Sequence, residues 1–387
     1  MEKIGKRGLG VGLVFGVLAI VGAVTQPAAF YQAYLLGYLF WLAIALGSLV
    51  TVMIHHVAGG AWLLVGRRIM EAAIRTLPLL AVLFIPVLLG MRYLYVWSIP
   101  EVMEADRYLQ MKEIYLNVPF FVGRAILYFA VWIGLGWALT KWSYLQDSTK
   151  DPLLNQRMRI ASGAGIVAYV LTATFASFDW MMSIDPHWFS SIYGPIFFVS
   201  QGLSALCFLL IVLVKLARYE PLSGAVTDDR YHSLGKWLFA AIMLWAYLMF
   251  SQFLIIWSGN LPEHIAWYQR RIGSEWKVLA LLLTLLHFFL PFIILLSRFV
   301  KRKAGILFKI AIGLLIMRYL DLFWLIVPDL HEGDFVVHWL DFVVPIALGG
   351  IWLSVFARTL KDRPLLVLHD PRFEDLLKKE EGGRHDE

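Results

Sequence analysis

The feature that most constrains this chain is the alternation of charge in the loops that join its long apolar runs. Ten such runs follow one another, and almost without exception Lys and Arg crowd into every second connecting segment while the segments between are acidic or neutral. Basic loops resist translocation, so a bundle threaded through a bilayer acquires this asymmetry and a soluble core does not. The pattern predicts an all-α integral membrane protein with about ten transmembrane helices and both termini cytoplasmic.

Composition supports that reading. Hydrophobic residues make up 60% of the 387 positions and charged residues 16%, against soluble averages of roughly 45–50% and about 25%. The length accommodates ten helices of about 20 residues with short loops and no separate soluble domain. The net charge of +6 sits mostly at helix ends on one side, which is topology rather than affinity for nucleic acid. Cys207 stands alone, so it forms no internal disulfide and holds no iron–sulfur cluster. The first apolar run follows a positive start, Met1–Arg7. It lacks a small-x-small cleavage site before a soluble domain and reads as a retained helix.

The expected spans are 8–25, 31–57, 72–97, 119–141, 160–182, 192–217, 235–257, 275–298, 304–327 and 336–358, a transmembrane domain over 1–358, with a charged cytoplasmic tail over 359–387. That tail reads as a docking or flexible segment. Trp97, Trp180, Trp188, Trp257, Trp267 and Trp339 fall near the outer boundary, as an aromatic belt would. The external loop 98–118 reads as an amphipathic helix lying on the membrane, and 258–274, with Pro262, Arg270 and Arg271, is longer than a connection requires. Two sets of about four helices would fit an internal duplication.

Polar residues inside spans carry the functional information, because each costs roughly 2.5–3.5 kcal/mol to insert when charged. Arg318 and Asp321 are three residues apart in the ninth span and share a face. Thr172 and Asp179 share a face of the fifth, with Asp179 deeper than the turn at Asp185-Pro186 demands. His287 lies mid-span in the eighth, with Thr284 before it and Pro291 after it. A proline at 291 cannot donate to the carbonyl of residue 287, so the helix is expected to open there. An imidazole beside an opened turn suits a proton relay; a packing histidine is the plainer alternative. His55 and His56 end the second span, and adjacent positions predict that only one faces the interior. Gln201 with Ser200 and Ser204, and Gln252 with Ser251, add neutral polar groups. Asp334, His338 and Asp341 read as a wet helix start. The expected constellation joins Arg318 and Asp321 to a polar group of another helix, Asp179 first. No two histidines face each other at matched depth for a haem, and the chain carries no nucleotide fingerprint or zinc-protease motif.

The stretch Ser177-Phe-Asp-Trp-Met-Met-Ser-Ile-Asp-Pro-His-Trp-Phe-Ser-Ser-Ile-Tyr-Gly194 resembles the signature of the polysulfide-reductase-type (NrfD-like) membrane subunits of bacterial alternative complex III, the second of the two in particular. Ten spans and a short tail extend the resemblance over nearly the whole chain. The resemblance implies two four-helix bundles with flanking helices, in a multi-pass protein of the bacterial inner (cytoplasmic) membrane. It implies a complex that oxidises quinol, commonly menaquinol, with haem c and iron–sulfur clusters on partner subunits: a sister NrfD-like subunit, an iron–sulfur subunit and c-type cytochromes. Electrons would pass to a cytochrome c or terminal oxidase. This chain would then be cofactor-free, contacting quinone or conducting protons. A stand-alone proton-coupled transporter and a purely structural subunit are the competing readings, since intramembrane Arg, Asp and His suit all three.

Overall fold

The computed structural model describes residues 2–370 apart from 150, 152, 274 and 368. Among the described residues ten helices are long and apolar enough to cross a membrane: α1 (Glu2–Thr25), α2 (Pro27–Ala58), α3 (Arg67–Leu89), α4 (Val118–Thr149), α5 (Leu153–Ile184), α6 (Tyr193–Leu216), α7 (Asp228–Gly259), α8 (Trp276–Leu296), α9 (Ala304–Leu330) and α10 (Leu340–Lys361). Among the described residues there is no strand. The chain is an all-α, multi-pass membrane protein.

Contacts between the helices form two rings of four. In the first, α2 packs on α3 and α5, and α4 packs on α3 and α5; in the second, α6 packs on α7 and α9, and α8 packs on α7 and α9. The rings meet where α2 and α5 pack against α6, while α1 lies along α10, which itself packs on α2. The two bundles with flanking helices that the resemblance implied are therefore present. An ion pair between Lys361 and Glu2 at 3.3 Å brings the end of α10 and the start of α1 to the same side.

Helix α2 is the hub. From Ala33 to Met53 every residue except Trp41 is buried, so this helix touches protein on all faces and no lipid. That overturns the expectation that only one of His55 and His56 faces inward: both are buried. Small residues set the close approaches. A Cβ added at Gly47 would lie 1.9 Å from the carbonyl oxygen of Gln201, so only glycine lets α2 meet α6 here; at Gly12 it would lie 2.8 Å from the amide nitrogen of Ile351 on α10.

Prolines break the ladders of several spans, and side chains from neighbouring helices fill the gaps. In α3, which contains Pro78 and Pro86, the amides of Phe84 and Val87 bond three residues back, to Ala81 and Phe84. The carbonyls of Leu80 and Leu83 instead accept from the hydroxyls of Tyr38 (3.0 Å) and Tyr34 (2.8 Å) on α2. Pro345 has no N–H for the carbonyl of Asp341, which takes the hydroxyl of Tyr319. In a medium without water such substitutions are what make a broken helix affordable.

Several boundaries differ from the expected ones. The third span starts and ends earlier than 72–97, and its tail dissolves into short turns after Gly90, where the broken ladder loses its register. The tenth starts at Leu340, so Asp334 and His338 precede it; only Asp341 lies within it, and it is buried, accepting the amide of His338. The external loop 98–118 forms two short helices, Pro100–Ala105 and Arg107–Gln110, rather than one, because Asp106 caps the second through the amides of Tyr108 and Leu109. The segment 258–274 is largely helical, Pro262–Ile272, and it folds inward. Its Arg271 is fully buried and donates to Asp329 and to the carbonyls of Trp324 and Leu325. The Trp324 carbonyl is the one that Pro328 cannot serve. The expected aromatic belt is mostly core: Trp97, Trp180, Trp188 and Trp267 are buried, with Trp188 stacked on Trp267 at 4.6 Å, and only Trp257 and Trp339 are exposed. The head of the tail packs back on the protein, with Leu366, Val367 and Asp370 buried; the remainder of the tail, 371–387, lies outside the described residues.

Candidate functional site

The polar side chains within the spans gather in three places. In the first bundle, Asp179 near the end of α5 meets α4. Arg124 donates to both its oxygens, at 2.9 and 2.8 Å, and the Tyr128 hydroxyl donates to Oδ2 at 2.7 Å. Thr172, on the same face two turns earlier, accepts the Trp132 indole N–H at 2.8 Å. Tyr128 and Trp132 stand one turn apart on α4, so the two faces are matched position for position. Arg124 Nη1 donates to the Tyr115 carbonyl at 2.9 Å, and the guanidinium lies 3.9 Å from the Tyr115 ring centroid. Each charge here is fully engaged.

In the second bundle, Arg318 and Asp321 are hydrogen-bonded to each other, midway along α9. The expected meeting with Asp179 does not occur. Asp179 is held by Arg124, and Asp321 instead accepts the indole N–H of Trp245 on α7 at 3.3 Å. The face of Trp245 covers His287, with ring centroids 4.0 Å apart. His287 is completely buried, and neither of its ring nitrogens has a hydrogen-bond partner among the described residues.

The backbone explains why this histidine sits in an open stretch. Leu283–Phe289 is a π-helical segment, and the amide of Leu290 bonds five residues back to Leu285. Pro291 favours this, because it has no N–H for the His287 carbonyl and its ring crowds the preceding turn. The sequence expectation of a loosened helix at 287 is met. On α9, Arg318 Nε and the second oxygen of Asp321 also lack partners among the described residues. Arg318 borders a water-sized cavity of about 10 Å³ with Ser200 of α6, whose hydroxyl is likewise unpartnered.

The outer side of Trp245 opens on a cavity of about 700 Å³ between α7, α8 and the helix Pro262–Ile272, with Thr284, Tyr268 and Phe288 in its wall. Its lining is almost wholly apolar. A second apolar hollow of about 660 Å³ lies between α8, α9 and α10. It touches Tyr319 and Asp341 but neither His287 nor Arg318.

The other predicted residues are dispersed. Gln201 accepts the Tyr169 hydroxyl between the bundles. Gln252 accepts from Ser190 at 2.9 Å, in the outer network of Tyr268 and Arg271. His55 and His56 are near Trp62, whose ring stacks on Trp237 of α7 at 4.4 Å. Trp237 and Trp245 are eight residues apart on α7, about 12 Å at 1.5 Å per residue. Helix α7 thus runs from the histidines of α2 to the histidine of α8.

The third gathering was not foreseen. Arg67 and Arg68 at the start of α3 are buried with Glu71, Ser143 and Asp370 in one ionic network, which the half-buried Asp147 joins through Arg68. The two arginines read as topology markers in the sequence, yet Glu71 at the i+4 and i+3 positions was a legible sign of pairing. Arg124 was equally visible as a charge inside the fourth span. Trp245 had no signal, since a neutral aromatic in a span resembles any other core residue. Among the described residues no group of His, Cys, Asp and Glu side chains has the arrangement to hold a metal ion. No family model matches the chain, and no curated protein matches it.

Proposed function

We propose that this chain is a cofactor-free membrane subunit of a quinol-oxidising respiratory complex, of the alternative complex III type, that moves protons through its second bundle. The observation that carries the reading is His287: wholly buried, without a hydrogen-bond partner at either nitrogen among the described residues, seated in an opened helix turn and one indole away from the Arg318–Asp321 pair. A packing histidine has no use for an opened turn, and burying a polar ring without a partner costs stability. A proton carrier needs both features. The 700 Å³ cavity on the far side of Trp245 has the size and apolar wall of a ligand site; Tyr268 can donate to a quinone oxygen, and Thr284, whose proton goes to the Ala280 carbonyl, can accept from a quinol hydroxyl. Electrons would travel on partner subunits carrying iron–sulfur clusters and c-type haems, to a cytochrome c or terminal oxidase. Asp179 has a different part in this scheme. Its closed pairing with Arg124 and Tyr128 favours a helix lock over a relay.

His287→Phe tests the reading. The complex should assemble with its cofactors intact, and quinol-linked proton uptake in sealed vesicles should fall by about 10²-fold, the scale of one positioned acid–base group. Wild-type rate and stoichiometry in an assembled variant would return His287 to packing. A chain that purifies alone, without haem or iron–sulfur partners, would favour the transporter reading.

The proposed location is the bacterial cytoplasmic membrane with both termini inside, from the excess of Lys and Arg around Arg67, Arg157, Arg230 and Arg302. Single cysteines introduced on a background lacking the buried Cys207 should be labelled from outside near Glu104 and not near Arg157. The reverse pattern overturns the orientation.

A further inference from the structure

We propose that Arg75 and Arg363 form a binding site for the phosphate of an anionic phospholipid headgroup. Both lie beside the ionic network at the start of α3. Arg68, Arg75 and Arg363 line one small cleft between α3 and the end of α10, together with Glu71, Ala72, Thr359 and Leu360. Three guanidinium groups therefore converge there, and Arg67 stands next to Arg68.

The carboxylates of the neighbourhood are already committed. Glu71 serves Arg67 and Arg68 at 2.9 and 2.7 Å, Asp147 is bonded to Arg68, and Asp370 is bonded to Arg67 at 2.8 Å. Neither Arg75 nor Arg363 has an ion pair with a described residue. Arg363 donates to the Thr140 carbonyl at 3.1 Å and rests 4.5 Å from the Tyr144 ring centroid. Among the described residues, four arginines of this cluster thus face three carboxylates, and the outermost pair carries the surplus positive charge. Burial and then the charge of Arg75 push the Arg363 guanidinium below its usual range, against the opposing pull of Glu71.

Arg75 is exposed, and the apolar run of α3 begins beside it at Leu77. It therefore stands at the level where headgroups meet acyl chains. Below that level the surface is lipid-like, with Val82 of α3 61% and Trp137 of α4 63% exposed. A guanidinium pair above an apolar wall matches a phosphodiester above its acyl chains, and paired guanidinium groups bind phosphate oxygens in a fork geometry. One monoanionic phosphodiester also cancels the surplus charge.

The test measures the melting midpoint of the full-length protein in neutral detergent, titrated separately with phosphatidylglycerol, phosphatidylcholine and inorganic phosphate. Phosphatidylglycerol should raise the midpoint by about 2–4 °C, and the zwitterionic lipid and free phosphate should not. The shift should vanish in R75Q/R363Q and be reduced less in R75K, which keeps the charge but loses the fork, than in R75Q. Because Arg75 is exposed, R75Q alone provides a folded reference if the double variant is unstable, and it should show a reduced shift. Equal shifts with phosphatidylcholine, or an undiminished shift in both R75Q and R75Q/R363Q, overturn the site. An equal shift with inorganic phosphate overturns the lipid as its occupant.

Discussion

Asp179→Ala is expected to cost about 3–5 kcal/mol and to leave little monodisperse protein in detergent. The carboxylate is fully buried and accepts from Arg124 twice and from Tyr128 once. Its removal strands a guanidinium between α4 and α5, and an uncompensated buried charge carries a penalty of that order. Tyr128→Phe should be far milder, since it removes one hydrogen bond to a charged group, worth about 1.5–3 kcal/mol, and leaves the ion pair closed. Replacing both charges, Arg124→Leu with Asp179→Leu, should recover much of the loss, because two apolar side chains need no counter-ion. Thermal midpoints and elution profiles of the three variants decide the matter. If Asp179→Ala matches wild type, or the double variant is no better than the single, the pair is not the lock between these helices.

The sequence made the spans legible because a single requirement, burial of every backbone polar group in lipid, fixes both helix and length. It also made individual buried charges visible. Partnership was harder. Arg318 with Asp321 could be read, since both lie on one helix three residues apart. Arg124 with Asp179 could not, because 55 residues separate them and nothing in either span says which neighbour it meets. The expected meeting of the Arg318–Asp321 pair with Asp179 failed for this reason: they belong to different bundles, and each bundle pairs its own charges. The tryptophans taught a related lesson. Hydropathy places an aromatic at a helix end and does not say whether lipid or protein lies beyond it. Trp188 and Trp267 sit at that level and are stacked inside the protein.

The prolines show how local chemistry becomes long-range structure. Pro328 frees a carbonyl that recruits Arg271, and Pro345 frees one that recruits Tyr319. Each break in a ladder thereby becomes a tie between helices. Pro291 is different. It generates a π-helical turn, yet no described side chain donates into the gap, and the imidazole beside it also lacks partners. Two prolines are used for cohesion and this one leaves an opening, which is why the second bundle, not the first, is assigned the moving proton.

Asp321→Ala should be the most damaging single change in that bundle. Arg318 would lose its partner beside a cavity too small for more than one water, in a wall of Phe197, Leu322 and Leu325. The cost is again about 3–5 kcal/mol, and assembly should fail. Asp321→Asn retains an acceptor for the Trp245 indole and for Arg318, so it should assemble better while removing the titrating carboxylate. Arg318→Met with Asp321→Leu removes both charges and should assemble best of the three. The order of stability, double above Asn above Ala, follows from charge pairing alone and is read from thermal midpoints. Proton uptake in sealed vesicles separates structure from function. If Asp321 exchanges protons with His287, both the Asn and the double variant should be slowed by about 10²-fold despite intact cofactors. A double variant that assembles and turns over at the wild-type rate would leave the energetics standing and sink the relay, since no carboxylate would then remain within reach of the Trp245 indole and His287 behind it.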